Sequence, residues 1–409
     1  MTELLNLKDI TRPVDAVAHL LDEMRQDIGK DAQHSRTLPP ETYYNEAFFA
    51  LEKAKVFRAD WICIGHVAQL AAIGDYFSVD ILGEPLLAVR SAQGINVMSR
   101  VCLHRWMPIV EGAGNARGFA CPFHSWSYGL DGQMLGAPSM EQAAGFHPTT
   151  LRLPQVRTEI VCGLIFVTFD EHLSSIGARL HDLQPLLEQY GLADLSLAFT
   201  LDYECDFNWK IAAETFMECY HHGSVHRHSL ERSFPGRLSS IGSGGEGWSI
   251  CHQPLRAKGE LSEILTPGLV PFEGLPEEAM REIRLLQIFP NCLLGLDPDR
   301  ISITTLLPIS AELTIWHRVV LVSPAAAARE DFTETCARMQ ARGTTIAGED
   351  LAINGIQQRA LHSTFAQPGR LSHLEYTVWQ QANYLRSRIL EHVTPTGQPG
   401  ASITQGGTA

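Results

Sequence analysis

Two short motifs in the first third of the chain constrain its fold most strongly, because each pairs a cysteine with a histidine at close spacing. Cys102-x-His104 is followed, sixteen residues later, by Cys121-x-x-His124. Coincidence among 17 His and 9 Cys is a poor explanation, because glycines and prolines near both motifs can form loops that present the four side chains. The segment therefore predicts a site in which two thiolates and two imidazoles bind metal.

The mixed composition of each motif distinguishes between two kinds of metal site. A closed tetrahedral zinc site also accepts two Cys and two His, but zinc fingers place like ligands side by side. A Rieske [2Fe–2S] centre needs the mixture, because two Cys bind one iron and two His bind the other. We therefore assign Cys102, His104, Cys121 and His124 as ligands of a Rieske cluster.

The length of the chain and the residue patterns around these motifs indicate two domains. A chain of 409 residues exceeds what one ordinary hydrophobic core supports. Over residues 49–170, short β-branched runs alternate with Gly, Pro and Asn, which is typical of a small antiparallel β domain. Residues 171–393 carry helical stretches and then late strands, which predicts an α+β domain on which helices of residues 1–48 pack. We expect residues 394–409, rich in Gly, Pro, Ser, Thr and Gln, to be disordered.

Charge and composition limit the partners of the chain. A formal net charge of −14 disfavours binding to nucleic acids or to anionic membranes. No apolar run approaches the roughly 20 residues of a membrane helix, and the N-terminus shows no secretory signal, so we expect a cytoplasmic location. Nine cysteines without regular spacing do not resemble the disulfide framework of a secreted protein.

A second constellation lies in the stretch DFNWKIAAETFMECYHHGSVHRH, where Glu218, His221 and His226 are polar points of an otherwise apolar helix. Two His and one carboxylate on one side of an iron form the facial triad of non-haem Fe(II) oxygenases. Five residues of ideal helix rotate roughly 500°, so His221 and His226 could not converge on a straight helix. Gly223 stands between them, and we expect it to end or distort the helix.

With both constellations, nearly the whole chain resembles the catalytic α subunits of Rieske non-haem iron oxygenases, also called ring-hydroxylating dioxygenases. ECYHHGSVH is similar to the family pattern of an acid, two residues, His, four residues, His. The resemblance implies that His221 and His226 bind a mononuclear Fe(II). It also implies an α+β fold in which the small antiparallel β Rieske domain precedes a catalytic domain of helix-grip type, an antiparallel sheet flanked by helices.

The chain departs from the family pattern at two positions and leaves two neighbouring histidines unassigned. The family usually has Gly where this chain has Trp106, and Gly or Ala is common where it has Ser125. Both residues stand beside cluster ligands and could alter the surroundings of the cluster without removing a ligand. His222 and His228 match no ligand position of the family, and we interpret them as structural or solvated.

The third iron ligand is implied by the resemblance alone, since the family takes an Asp from the start of a late helix. AGEDLAINGIQQRAL is similar to that segment and gives Asp350, with Glu349 as the alternative ligand. We predict two long C-terminal helices, over about residues 350–361 and 374–390. An acidic pair at a helix N-terminus would also serve simply to satisfy free N–H groups and the helix dipole.

The resemblance further implies how electrons reach the iron. In the family, the acid at the position of Glu218 bridges the iron site to a cluster-ligand His of the neighbouring subunit. On that pattern Glu218 contacts His221 of its own chain and His104 or His124 of the next chain, in a head-to-tail homotrimer. We find no G-x-G-x-x-G fingerprint for NAD or flavin, so a separate flavin and iron–sulfur reductase, with or without a ferredoxin, would supply electrons from NAD(P)H.

The expected function is that of a terminal oxygenase, which uses O2 and those electrons to dihydroxylate or hydroxylate a small aromatic substrate, carboxylated or not. An alternative is a monooxygenase or N-demethylase acting on a quaternary amine such as choline or a betaine. A second alternative is a Rieske electron carrier without catalytic activity, which the roughly 200 residues after the β domain disfavour. A cationic substrate would need aromatic faces around the ammonium, and the sequence identifies no such cage.

Overall fold

The computed structural model describes residues 16–390 of the chain. The tail predicted for residues 394–409 and the first fifteen residues lie outside this range. Within residues 16–390, no helix is both long and apolar enough to cross a bilayer. The domain boundaries proposed from the sequence stay predictions; the one between residues 48 and 49 falls inside a helix, Glu46–Glu52.

The described residues form seventeen strands in four antiparallel sheets. The strands are β1 (Ile62–His66), β2 (Asp75–Ile81), β3 (Glu84–Ser91), β4 (Gly94–Ser99), β5 (Ala113–Asn115), β6 (Phe119–Ala120), β7 (Ser127–Tyr128), β8 (Met134–Gly136), β9 (Arg157–Val161), β10 (Leu164–Thr168), β11 (Ser196–Cys205), β12 (Ser240–Ile241), β13 (Trp248–Pro254), β14 (Glu282–Ile288), β15 (Cys292–Leu296), β16 (Ile301–Ser310) and β17 (Leu313–Val322).

The helices are concentrated outside the first ten strands. The α-helices are α1 (Ala18–Arg25), α2 (Glu46–Glu52), α3 (Ile176–Arg179), α4 (Gln184–Gln189), α5 (Trp209–Met217), α6 (Glu277–Met280), α7 (Pro324–Ala327), α8 (Phe332–Leu361) and α9 (Tyr376–Leu390). A π-helical turn, Lys53–Phe57, continues α2. Short 3-10 turns span Pro40–Tyr43, Val67–Leu70, Pro148–Thr150, Leu192–Asp194, Tyr220–Gly223, Gly236–Leu238, Leu261–Glu263 and His373–Glu375.

Strands β1 to β10 build the predicted antiparallel β region from three small sheets, in the orders β1-β10-β9, β4-β3-β2-β5 and β6-β7-β8. The first Cys/His motif lies on the loop between β4 and β5. The second is the tip of a hairpin, because β6 and β7 pair as Phe119 with Tyr128 and Ala120 with Ser127. A separate apolar core that includes Met98, Phe119 and Tyr128 supports both loops.

The second region is built on one seven-stranded antiparallel sheet, in the order β11-β17-β16-β15-β14-β13-β12. Helices α5, α8 and α9 pack with it, so the fold is the predicted α+β arrangement of a sheet flanked by helices. Because side chains alternate along a strand, every second residue of β17, namely Trp316, Arg318 and Val320, shares one face of the sheet. That face looks toward α8 and lines a cavity.

One helix differs in extent from its sequence prediction. Helix α8 begins at Phe332, eighteen residues before the predicted start at 350, and runs for 30 residues. Gly343, Thr344, Thr345 and Gly348 favour a loop by local propensity, but packing against the sheet holds this segment helical. The second C-terminal helix was predicted within a few residues of its ends.

Helix α2 and the turn before it pack against α5 through a buried polar contact. Lys210 Nζ lies 2.6 Å from Glu52 Oε1 and 3.0 Å from the Thr42 carbonyl oxygen, and Trp209 Nε1 donates to the same Glu52 carboxylate at 3.2 Å. Both charged side chains are fully buried. The contact therefore fixes α5, the helix that leads into the second constellation, against α2.

Candidate active site

The two Cys/His loops adopt the same backbone turn. In the first, the N–H of Trp106 donates to the Cys102 carbonyl at 3.2 Å; in the second, the N–H of Ser125 donates to the Cys121 carbonyl at 2.9 Å. Each turn needs a residue with positive φ four positions after its Cys, at 57° for Trp106 and 60° for Ser125. Glycine adopts this conformation most easily, which explains why these are the positions where the family favours Gly.

The four predicted cluster residues come together at the tip of the β region. Cys102 and Cys121 are buried, at 1% and 3% exposure, whereas His104 is half-buried and His124 is exposed, with their Nδ1 atoms 3.1 Å apart. The ring of His104 stacks on Trp126 at 4.7 Å between centroids. Two sulfurs inside and two converging imidazole nitrogens outside form the donor set that a [2Fe–2S] cluster of Rieske type requires.

A tyrosine behind the cluster position was not predicted from the sequence. Tyr128 is fully buried, and its hydroxyl lies 3.3 Å from Cys102 Sγ while it accepts a hydrogen bond from the Leu103 N–H at 3.1 Å. With its oxygen already an acceptor, the hydroxyl proton is free to point at the sulfur. Hydrogen bonds to cluster sulfurs are one of the factors that set the reduction potential.

The second constellation lies where α5 ends. The helix stops at Met217, Glu218 is extended, and His221 stands in the 3-10 turn Tyr220–Gly223. The prediction that Glu218, His221 and His226 share one helix is therefore wrong. Gly223 has no positive φ, and a Cβ there would meet no atom within 4 Å. The chain therefore bends because α5 ends early, and not because Gly223 adopts a conformation that only glycine allows.

His221 and His226 nevertheless converge on Asp350, which α8 brings from far along the chain. Asp350 Oδ1 lies 2.9 Å from His226 Nε2 and 3.5 Å from His221 Nε2. This buried oxygen has no partner of good hydrogen-bond geometry among the described residues. Two Nε2 atoms and one carboxylate oxygen facing a common point are a fitting donor set for Fe(II).

Each imidazole is oriented through its other nitrogen. His221 Nδ1 lies 2.6 Å from Glu218 Oε1, and His226 Nδ1 lies 2.7 Å from Glu349 Oε2, which also accepts from Ser229 Oγ at 2.6 Å. Carboxylates that hold Nδ1–H fix the tautomer and leave Nε2 available to a metal. Glu349, the alternative ligand in the sequence analysis, thus contacts the opposite side of the ring from Asp350.

The electrostatics of this site favour a positive charge. Burial opposes the protonated form of His221, but the carboxylates of Asp350 and Glu218 outweigh burial and raise the pKa of this imidazole to about 10. The pKa of Asp350 is lowered despite its burial, because both imidazoles face it. A divalent cation at this point would meet the same field.

The position of Asp350 within α8 also decides between two interpretations of the acidic pair. The pair could have capped a helix N-terminus, but α8 begins at Phe332 and Asp350 lies in its interior. Interior N–H groups are already bonded within the helix. Helix capping therefore does not explain Glu349 and Asp350.

His222 is closer to the site than the sequence indicated. It is buried, its Nδ1 lies 3.1 Å from the Phe234 carbonyl oxygen, and its ring centroid is 5.1 Å from that of His221 and 5.2 Å from that of His226. Even without Asp350, the ring nitrogens of the three histidines lie close enough together to bind one metal ion. The structural role expected of His222 agrees with its backbone contact, whereas His228 is exposed beside Arg232.

A cavity of about 210 Å³ opens from the three-histidine group between the sheet and α8. Apolar and aromatic side chains line most of it, together with a smaller set of charged groups, of which the sequence analysis had identified only Glu218 and Asp350. The charged residues are Glu218, Asp297, Arg300, Arg318, Arg338, Arg342 and Asp350. Such a cavity, mostly apolar with a few convergent polar groups, is suited to a small organic ligand.

Comparison with protein families agrees with this arrangement. Residues 60–156 match the Rieske [2Fe-2S] domain, and residues 192–391 match the ring hydroxylating alpha subunit catalytic domain. The chain belongs to the Rieske oxygenases. In this family the first domain holds the [2Fe–2S] cluster and the second binds a mononuclear iron, as expected from the resemblance.

Individual relatives extend the comparison. The chain is 33% identical over 198 residues to the carnitine monooxygenase oxygenase subunit of Escherichia coli (strain K12). This aligned region covers 47% of this chain and only 53% of that protein. It is 26% identical over 412 residues to the glycine betaine monooxygenase oxygenase subunit of Chromohalobacter salexigens, covering 93% and 92% of the two chains. The solved structure of a quaternary ammonium Rieske monooxygenase superposes with a TM-score of 0.77 at 23% identity, over 90% of this chain and 98% of that chain.

Proposed function

We propose that this chain is the oxygenase subunit of a Rieske monooxygenase that hydroxylates a quaternary amine beside its nitrogen. The observation that carries the proposal is the convergence of His221 Nε2, His226 Nε2 and Asp350 Oδ1 at one end of the cavity. The relatives support the quaternary amine over the aromatic substrate expected first, because a carnitine monooxygenase subunit resembles this chain over 47% of its length and a glycine betaine monooxygenase subunit over 93%.

In this proposal His221, His226 and Asp350 hold a mononuclear Fe(II), and Cys102, His104, Cys121 and His124 hold the [2Fe–2S] cluster. Bound in these sites, the iron supplies oxygen activation and the cluster supplies electrons from a separate NAD(P)H-dependent reductase. The protein side chains hold the imidazole rings in place and close the iron end of the cavity. Glu218 and Glu349 keep the protons of His221 and His226 on Nδ1, away from the metal side.

The net reaction balances with one O2, two electrons and two protons. One oxygen atom enters a C–H bond beside the quaternary nitrogen and the other leaves as water. The resulting N–CH(OH) group loses a proton and breaks its C–N bond, giving a tertiary amine and an aldehyde. This outcome makes the enzyme a dealkylating monooxygenase rather than a ring dihydroxylase.

The cavity supplies features that suit a cation of this kind. The aromatic rings of Phe199 and Phe216 line it, and aromatic faces attract ammonium groups. The carboxylates of Glu218 and Asp350 line the same cavity. Such a cavity also argues against the electron-carrier alternative, because a carrier needs no internal space for an organic molecule.

Electron transfer between subunits completes the proposal. Glu218 contacts His221 on its own chain, and we place His104 or His124 of a neighbouring copy on its other side, in a homotrimer. Two features support this placement: His124 is exposed and His104 half-buried at the tip of the β region, and Tyr220 beside Glu218 is 59% exposed. A related quaternary ammonium monooxygenase is described as transferring electrons between subunits.

The test is oxygen and NADH consumption by the iron-loaded protein with a Rieske-oxygenase reductase. Glycine betaine, carnitine, choline and benzoate would be offered separately, and the products identified by mass spectrometry. We expect aldehyde and tertiary amine in equal amounts from at least one quaternary amine. A cis-dihydrodiol from benzoate, with no turnover of any amine, would refute the proposal.

A further inference from the structure

The guanidinium of Arg318 lies on the face of the sheet that lines the cavity. Arg318 lies on β17 between Trp316 and Val320, which share its face, and its cross-strand neighbours are Leu201 on β11 and Thr304 on β16. Burial lowers the pKa of Arg318, because the apolar surroundings disfavour its charge. A charged group on an otherwise mostly apolar face is destabilising unless something compensates it.

No carboxylate of the described residues pairs directly with this charge, and Asp350 and Asp297 act on it only from a distance. Arg318 Nε donates to Thr304 Oγ1 at 3.4 Å, and its guanidinium carbon lies 5.2 Å from the centre of the Trp316 ring. Among residues 16–390, no carboxylate lies within 4.0 Å of this guanidinium. The direct contacts of the guanidinium are therefore one long hydrogen bond and a cation–π contact.

A second arginine of the same cavity provides the contrast. The two Nη atoms of Arg300 are paired with Asp297 at 2.5 Å and with Asp299 at 3.0 Å. The charge of Arg300 is therefore neutralised by two carboxylates of the protein itself. Arg318 differs in having its guanidinium open to the cavity.

Helix α8 places a further arginine at the opening of the cavity. Met339, Gly343, Ala347 and Asp350 follow one another at helical spacing along the lining face of α8, and Arg342 lies beside them, exposed. Within the described chain, no carboxylate lies within 4.0 Å of Arg342. A Cβ at Gly343 would come 3.8 Å from Arg318 Nη1, so α8 runs directly over this guanidinium.

We infer that Arg318 binds the carboxylate of the substrate inside the cavity and that Arg342 attracts it at the opening, so that the substrate is a zwitterionic betaine rather than a simple cation. The inference rests on the proposed function for the ammonium end of the substrate. The cationic end then lies toward Asp350 and Glu218, and the anionic end lies on the sheet. A planar guanidinium suits a carboxylate, which it can bind through two parallel hydrogen bonds.

This arrangement explains why a charge without a partner is kept on the sheet. A choline-type cation would meet Arg318 as a like charge, whereas glycine betaine or carnitine would neutralise it. Fixing the carboxylate on β17 also fixes which carbon beside the nitrogen faces the iron end. Arg318 is thus a binding and positioning residue that sets specificity.

The experiment measures ligand binding to the cluster-containing, iron-loaded protein by calorimetry, with glycine betaine, choline and benzoate as separate probes. Four proteins are compared: wild type, Arg318→Gln, Arg318→Lys and Arg359→Gln. Arg359 is an exposed arginine on α8 outside the cavity and serves as the matched control. Thermal unfolding of each variant shows whether it is folded, and we expect Arg318→Gln to be no less stable than wild type.

We expect Arg318→Gln to weaken glycine betaine binding by about 10- to 100-fold, the range for losing a charged hydrogen-bonded pair, and to leave choline within about threefold. Arg318→Lys should retain part of the affinity, and Arg359→Gln should match wild type. Equal losses for glycine betaine and choline, or no loss for either, would overturn the inference. If only benzoate binds and its binding requires Arg318, the carboxylate site stands while the quaternary amine proposal fails.

Discussion

The two metal-binding regions of this chain are built in opposite ways. The cluster histidines are only 20 residues apart and lie on neighbouring loops, where His124 is exposed and His104 is half-buried. The iron-site residues come from the 3-10 turn Tyr220–Gly223, from the loop that follows it and from the interior of α8, and the contact between His226 and Glu349 spans 123 residues. The first site is local and accessible to electron donors; the second exists only when the sheet and α8 have packed.

The comparison teaches that burial and exposure separate two tasks within one chain. Electrons must enter from another protein, so the imidazoles of the cluster reach the surface. Oxygen chemistry must exclude water and hold a small substrate, so the iron site opens into an internal cavity. Removing a residue from one region should therefore leave the other region intact.

The largest effect is expected from the proposed iron ligands. His226→Ala or Asp350→Ala should abolish oxygenation, because each removes one of three protein donors, while the visible spectrum of the cluster stays unchanged. Activity with a reductase and glycine betaine, recorded beside the absorption spectrum, checks both statements. The matched control is His228→Ala, which removes an exposed histidine near the site and should keep its activity. Loss of the cluster spectrum in the Asp350 variant would show that the regions are not independent.

The next effect concerns the residue proposed to join the two regions. Glu218→Gln should keep both metal centres and yet slow electron transfer from cluster to iron by orders of magnitude, because the amide cannot bridge two imidazoles as a carboxylate does. Mixing reduced enzyme with substrate and O2 in a single turnover measures the rate of cluster reoxidation. A normal rate, or a stable active monomer in sedimentation, would rule out the bridge.

A smaller effect is expected at Glu349, which supports His226 from behind. Glu349→Ala should weaken iron binding by about 10- to 100-fold, the range seen for residues that orient metal ligands. Titration of iron-depleted protein with Fe(II) under anaerobic conditions gives the affinity. If Glu349→Ala loses its iron altogether and Asp350→Ala keeps it, Glu349 rather than Asp350 is the ligand.

The smallest effect is expected at the cluster. Tyr128→Phe removes a hydroxyl 3.3 Å from Cys102 Sγ, and loss of one neutral hydrogen bond, about 1 kcal/mol, corresponds to about 40 mV for one electron. The reduction potential should fall, because the bond stabilises the more negative, reduced cluster. Redox titration followed by EPR measures it, and an unchanged or higher potential would show that the hydroxyl does not donate to sulfur.

The difference between the two regions also explains what the sequence could predict. The cluster site is contained in a continuous segment, so residue types and spacing predicted all four positions that the structure brings together. The iron site depends on long-range packing: the residues of its turn were placed on a helix that in fact ends at Met217. Asp350 was found only through the family resemblance, because local propensity gave α8 the wrong start.

Two features had no sequence signal that would have identified them. Tyr128 and Arg318 lie on strands, where alternation indicates only that a residue faces one side or the other. Whether that side holds a core, a cluster or a cavity depends on what packs over it. The strand LTIWHRVVLV is unusual in carrying an arginine among apolar residues, but that pattern does not indicate that Arg318 faces a cavity.

The most direct test of two independent centres is the metal content of wild type and of the double variant His221→Ala/His226→Ala. Wild type should contain about three irons and two acid-labile sulfides per chain, with a Rieske EPR signal after reduction. The double variant should contain about two irons, the same sulfide and the same EPR signal. Zinc without sulfide in wild type, or loss of sulfide together with iron in the variant, would contradict the account.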